Sequence, residues 1–377
     1  MTGRRIHFNT AGAGLPAPGV PQVMAAYLAL EAEVGPYEAE ALHEPELTGT
    51  VYARLAELVG ARPAEIALFG SATDAWCRVV NRLHVPSGSR IWLTPYEYAG
   101  NLIALQQLAR RRGCTLEVVP LAADGELDLE WMRTHLDDRV ALVSVVHMPS
   151  GAGVVLPVER IGAVLAGSAA VYVVDACQTV GQRRVDVGAI GCHALTAAGR
   201  KFLRGPRGSG FAYVHPDLWD RLEPGFADLH VADVDSLHSF RLTDPTAARL
   251  ETAERSNAVT LGLLTAAEHA LAHPDGPAPE VIDALHDVVT GTPGARVLGP
   301  PHSRTPIVSF RHERVPADRI RAVLAEDGVT GWVALGSHTP LYLAAAGVDR
   351  FVRMSAHHHN TVGEVEAFGR ALHRAVG

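Results

Sequence analysis

A chain of 377 residues with 47% hydrophobic and 20% charged side chains can bury a large core divided into more than one lobe, which excludes disordered and fibrous classes. A net charge of −8, with no basic run longer than Arg110, Arg111 and Arg112, argues against nucleic acid as a partner. Two basic residues near the N-terminus precede no apolar core of signal-peptide length, and no later stretch is apolar enough to span a bilayer. No membrane association is therefore expected, and the protein is placed in the cytoplasm.

From about residue 50 to 215, short apolar runs rich in β-formers alternate with helical periodicity, the pattern of an α/β domain with a mostly parallel sheet. The runs are EIALFG (65–70), RIWLTP (90–95), TLEVVPL (115–121), VALVSVVHM (140–148), AVYVVDA (170–176), a strand-like run reaching Lys201, and SGFAYV (209–214). Helical segments follow Thr73 and Gly100, and the second stops at Gly113. The C-terminal third, with ALHDVVTG (284–291), TPIVSFRH (305–312), ADRIRAVLAEDG (317–328) and a closing amphipathic segment, suggests a smaller α+β lobe. The Gly/Pro-rich stretch 291–306 reads as a loop inside it. The expected division is an N-terminal segment 1–20 that contributes to the active site, a large domain 21–255 and a small domain 256–377.

Cys77, Cys114, Cys177 and Cys192 show no CxxC spacing and lie in or beside apolar segments, where a reduced cysteine behaves as a small hydrophobe. His357, His358 and His359 are consecutive, and consecutive side chains point in different directions. No metal is expected.

The chemistry concentrates between Val173 and Gly210. Asp175 ends an apolar strand, where ligands bind in open α/β sheets, and Lys201 ends the next strand-like run before the glycine-rich LRGPRGSGF. An Asp and a Lys delivered to one sheet edge suit pyridoxal 5'-phosphate: the amine forms a Schiff base with the cofactor aldehyde, and the carboxylate keeps the pyridine nitrogen protonated. Taken singly, a solvated turn Asp and a surface Lys are the ordinary readings; the pairing is what carries the argument. Gln178 stands three residues past Asp175, where a surface amide fits the spacing equally well. Gly70, Ser71, Ala72 and Thr73 lead a strand into a helix, a geometry that serves either as a simple N-cap or as a phosphate cradle.

Together with FNTAGAGLP (8–16), PYEYAGN (95–101), GVVLPVERI (153–161), RLETAERS (249–256) and VRMSAHHHNT (352–361), these motifs resemble the class V aminotransferase family over nearly the whole chain. The resemblance implies a fold type I pyridoxal phosphate enzyme, with a seven-stranded, mostly parallel sheet flanked by helices and a smaller C-terminal domain. It also implies residue roles. Lys201 carries the cofactor, Asp175 pairs with the pyridine nitrogen, Gln178 contacts the phenolate oxygen, and Ser71, Ala72 and Thr73 cradle the phosphate. Tyr98 takes the place of a ring-stacking histidine, Arg200 replaces the histidine before the lysine and reaches toward the phosphate, and Arg353 grips the substrate carboxylate. Ser256 falls where relatives reach the partner subunit's phosphate, which implies a homodimer. Ser150 replaces a cofactor-facing asparagine.

The substrate implied is a small molecule, an amino acid. Within the family, EAEVGPYEAEAL (31–42) resembles the hercynylcysteine sulfoxide lyases of ergothioneine biosynthesis, and desulfurases carry a catalytic cysteine in a C-terminal region where GWVALGSHTPLY offers only Ser337 and His338. The expectation is therefore a C–S lyase performing β-elimination on an S-substituted cysteine or its S-oxide, releasing pyruvate and ammonia, with Asn9 and Tyr37 lining the imidazole side of the pocket. An aminotransferase or isopenicillin N epimerase-like enzyme is the alternative, and a cysteine desulfurase is disfavoured.

Overall fold

The computed structural model describes residues 5–219, 221–223, 227–300 and 302–377. Its central sheet has seven strands: β1 Ile66–Phe69, β2 Arg90–Leu93, β3 Thr115–Val118, β4 Val140–Val146, β5 Val171–Asp175, β6 Ala194–Ala198 and β7 Gly210–Val214. Their order in space is β1-β7-β6-β5-β4-β2-β3. β7 runs antiparallel to β1 and β6, and the other pairings are parallel. Helices cover both faces, so the inner strands are apolar throughout rather than alternating; all five residues of β5 and of β6 are buried. β3, at the edge, is the exception and reads TLEV, half-exposed. This is the fold type I architecture that the sequence motifs imply.

The register sets the site. Val146 pairs with Asp175, Asp175 with Thr196, Ala198 with Gly210 and Gly210 with Phe69. The C-terminal ends of β1, β4, β5 and β6 and the start of β7 therefore share one edge, and each hands the next loop to that edge. Gly210 is required there: a Cβ on it would lie 2.6 Å from the Ala72 nitrogen and from the Ser71 carbonyl carbon, inside the first turn of the helix Ala72–Val80.

The C-terminal part holds an antiparallel sheet of β8 Ala295–Val297, β9 Ile307–His312, β10 Trp332–Leu335 and β11 Arg350–Ser355, ordered β8-β9-β11-β10. Phe310, Val352 and Met354 of the sheet pack with Leu285, Leu324, Phe368 and Leu372 from three helices. The stretch 291–306 is not wholly a loop. Its residues Ala295–Val297 form β8, paired with Phe310, Arg311 and His312, because an edge position needs hydrogen bonds on one side only and tolerates the Gly/Pro-rich flanks.

The helix Asn257–Ala272 follows the expected 255/256 division in the chain, while its Leu263, Leu264, Ala266, Ala267 and Ala270 belong to the core on one face of the large sheet. The N-terminal segment runs between the two parts. Ile6–His7 pairs in parallel with Val329–Thr330, Asn9 bridges to Ser355, and Ala11 packs against Met148, Phe202 and Ile307. Among the described residues no helix is long and apolar enough to cross a membrane.

Candidate active site

Asp175 ends β5 and is 7% exposed. Its Oδ1 accepts the Cys177 N–H at 2.9 Å and its Oδ2 accepts Asn101 Nδ2–H at 2.9 Å, so both oxygens are fixed while the group still borders a cavity. Lys201 lies three residues past the end of β6, in the tight loop that begins at Gly199. Asp175 and Lys201 line the same cavity, together with Gly70, Ser71, Ala72, Thr73, Tyr98 and Ser209. They also line an adjoining smaller space with Tyr96, Met148, Ser150, Gln178 and Thr339. The acid and amine are thus brought together, with Tyr98 common to both spaces.

The first turn of the helix Ala72–Val80 lines the same cavity. Ser71 caps it, its Oγ accepting the Asp74 N–H at 3.0 Å, which is the ordinary role; the same turn nonetheless faces the cavity with Lys201. Gln178 is buried, donates from Nε2 to the Ala11 carbonyl at 3.1 Å, and keeps an unpartnered Oε1 beside the smaller space. Arg200 donates to the Gly12 carbonyl, and burial together with Arg207 lowers its pKa.

Arg353 lies on β11 and is buried, with Nε unpartnered and an Nη2–H pointing to Asn9 Oδ1 at 3.5 Å. Burial and the nearby Arg200 lower its pKa to about 10. A guanidinium held without a carboxylate partner in such a setting is primed for an anion. Asn9, Ala11 and Gly12 thus tie Arg353, Gln178 and Arg200 to one short N-terminal segment.

Asn9 and Arg353 line neither of the two spaces around Lys201, and neither do Ser256, expected at a partner subunit's phosphate, and Tyr37. Ser256 caps the helix Asn257–Ala272 and lines a separate, larger cavity of about 270 Å³ with Arg78, Glu254 and Arg255, which shares Gly70, Gly208 and Ser209 with the Lys201 cavity. Tyr37, on the helix Pro36–Leu42, is 85% exposed and borders none of these spaces. The resemblance that placed it carries no information on which way its ring faces.

Sequence reasoning missed Glu97, Asn101 and Ser144, which stand behind Asp175, and treated Cys177 as an inert hydrophobe although it lines both spaces. Its place between Asp175 and Gln178 was the available signal. Burial and Asp175 push the Cys177 thiol far up, and burial raises Cys77, Cys114 and Cys192 as well. The three consecutive histidines also differ from expectation: their ligand atoms lie within 4.8 Å of one another. Both His357 nitrogens are nonetheless engaged, with the Phe202 carbonyl at 2.7 Å and the His358 N–H at 2.7 Å, and Arg204 bonds His358 Nε2 at 3.1 Å. His358 Nδ1 is buried and accepts no hydrogen bond.

The Aminotransferase class-V family model matches residues 7–368. The chain belongs to that family. It is 30% identical over 337 residues to the probable cysteine desulfurase 2 of Mycobacterium leprae strain TN, covering 85% of this chain and 79% of that protein. In fold it is similar to the apo cysteine desulfurase of Thermococcus onnurineus NA1, with a TM-score of 0.87, 24% identity and coverage of 99% and 94% of the two chains. It is also similar to the cystine C–S lyase C-DES in complex with its reaction product cysteine persulfide, with a TM-score of 0.84, 23% identity and coverage of 98% and 97%. These relatives correct the expected reaction. Proteins named as cysteine desulfurases recur among them, nothing among them supports a hercynylcysteine sulfoxide lyase or a place in ergothioneine biosynthesis, and the exclusion of a desulfurase does not stand.

The class V family depends on pyridoxal phosphate, and the residues here fit it. A fixed acid, an amine and a helix N-terminus with hydroxyls surround one space, and the buried, unpartnered Gln178 Oε1 lies beside the adjoining one.

Proposed function

We propose that this enzyme removes the sulfur of cysteine and passes it to a thiol from outside the chain. The convergence of Lys201 and Asp175 on one cavity carries the reading, and the names of the relatives supply the substrate class. Pyridoxal phosphate, when bound, supplies an electron sink for negative charge at the substrate's α-carbon. With the cofactor bound, Asp175 would hold the proton on the pyridine nitrogen, Ser71, Ala72 and Thr73 would hold the phosphate, Tyr98 would pack on the ring, and Gln178 would donate to the phenolate oxygen. Arg353 binds the substrate carboxylate, with Asn9 orienting its guanidinium. Lys201, once its amine is free, moves the α-proton.

The acceptor follows from the thiols. Sulfur transfer needs a thiolate, and burial raises all four cysteines of the chain above their ordinary pKa, Cys177 and Cys192 furthest. No cysteine follows Cys192. An external thiolate R–S⁻ therefore attacks the substrate sulfur. An S–S bond forms, and the C–S bond breaks with its electron pair left on the β-carbon, which takes a proton. Cysteine and R–SH become alanine and R–S–SH.

Product analysis with L-cysteine and dithiothreitol tests this. Alanine matching the sulfide released supports the reading, and pyruvate in place of alanine contradicts it. The same reading includes a homodimer, with the cavity beside Ser256 filled from a second copy, and a cytoplasmic location, in keeping with four unpaired cysteines.

A further inference from the structure

Glu97 lies in the loop after β2, Asn101 in the first turn of the helix Ala99–Arg112, and Ser144 on β4. All three are buried, at 0%, 4% and 0% exposure. The Asn101 amide nitrogen donates to Asp175 Oδ2 at 2.9 Å and to Glu97 Oε1 at 3.0 Å. Glu97 Oε1 also accepts the Tyr98 N–H at 2.9 Å, and Oε2 accepts the Ser144 hydroxyl at 2.5 Å.

We propose that Glu97 and Asn101 are positioning residues for the cofactor, Glu97 locking the Asn101 amide so that it holds Asp175 against the pyridine nitrogen. An amide side chain is nearly symmetric in shape, and only its neighbours decide which end points where. Here Asp175 Oδ2 and Glu97 Oε1 both accept from the amide, so the NH₂ end faces them. Remove Glu97 and the amide keeps its bond to Asp175 but loses its second anchor, so it can pivot and its hold on Asp175 loosens. Ser144 and the Tyr98 N–H pin Glu97 in turn, and Tyr98 also lines the cavity, so one acid links two of the cavity's lining residues. The arrangement costs stability, because burial raises the Glu97 pKa to about 7 despite three donors. A costly buried acid whose partners all lead to the site is better explained by positioning than by packing.

The inference rests on the role given to Asp175 above, and the test separates the two. Dissociation constants for pyridoxal phosphate and the visible absorption of the bound cofactor between pH 6 and 9 are measured for wild type, Glu97→Ala, Glu97→Gln, Asn101→Ala and Asp175→Ala, with thermal melts of each cofactor-free protein to confirm folding. Glu97→Ala and Asn101→Ala are each expected to weaken cofactor binding by about tenfold and to shift the spectrum toward that of Asp175→Ala. Combining Glu97→Ala with Asn101→Ala is expected to be no worse than Asn101→Ala alone. Glu97→Gln should restore most of the affinity, since its carbonyl accepts from Asn101 and Tyr98 and its amide donates to Ser144. An unchanged Asp175→Ala protein would overturn the underlying role. A perturbed Asp175→Ala beside wild-type Glu97→Ala and Asn101→Ala, or a Glu97→Gln as impaired as Glu97→Ala, would overturn this inference alone. If Glu97→Ala does not fold, Asn101→Ala decides.

Discussion

Gly14 donates its N–H to the carbonyl of Arg200 at 2.8 Å, and a Cβ on Gly14 would stand 2.6 Å from the carbonyl oxygen of Lys201. The N-terminal segment is thus built onto the loop that presents the amine. Arg204, at φ 61° in the left-handed region that disfavours side chains, closes the same loop by donating to the Leu15 and Pro16 carbonyls at 2.9 and 3.2 Å. Gly14→Ala should therefore displace the loop, lowering stability by about 1–3 kcal/mol and weakening cofactor binding together. Denaturant titration and cofactor titration of the one variant check this, and a loss of stability with unaltered cofactor affinity would refute the coupling.

Asp175→Ala should fold and lose most turnover, by about a hundredfold or more, because the ring then has no acid to hold its proton. Lys201→Ala should lose the covalent attachment altogether, so cofactor colour leaves the protein on gel filtration. Near-normal rates in the first variant, or retained colour in the second, would reject the assigned roles.

Arg353→Lys keeps the charge and loses the planar fork. A charge-assisted pair of this kind is worth about 1.5–3 kcal/mol, so KM for cysteine should rise about tenfold or more while cofactor affinity stays put. Steady-state kinetics and cofactor titration separate the two, and an unchanged KM would remove Arg353 from the substrate site.

Acid stability is set by opposing buried groups. Burial raises Glu97 from 4.5 to about 7, so between those values the folded chain holds a proton that the unfolded chain has released, and stability falls as pH rises. Burial lowers His147 from 6.5 to about 4 and His357 from 6.5 to about 3, so below 6.5 the unfolded chain takes up protons that the folded chain refuses. Each pKa unit is worth about 1.4 kcal/mol, and the two histidines together outweigh the one glutamate. Cofactor-free protein should therefore lose stability from pH 6.5 to 4.5, and Glu97→Gln should steepen the loss by deleting the opposing group. Denaturation midpoints across that range decide it; a slope unaffected by Glu97→Gln would show that Glu97 is ionised throughout.

What the sequence made legible is what strand chemistry writes locally. VYVVD must be a buried strand ending in an acid, and the run into Gly199, Arg200 and Lys201 must end beside it, so the cavity's acid and amine follow from two segments of chain. The links among Asn9 and Arg353, Ala11 and Gln178, and Glu97, Asn101 and Asp175 are tertiary, and no local period marks them. Tyr37 misled because a helical aromatic reads the same whether it packs or faces solvent. The reaction misled because a missing C-terminal cysteine was taken as evidence against desulfuration, when it bears only on where the sulfur goes.

The most direct measurement is a single turnover with cofactor-loaded enzyme in excess over L-cysteine, following alanine and the mass of the protein. The account predicts that alanine forms only when a second thiol is added, with the sulfur recovered on that thiol. Alanine formed without it, alongside a protein heavier by one sulfur atom, would contradict the account and assign the transfer to a cysteine of the chain.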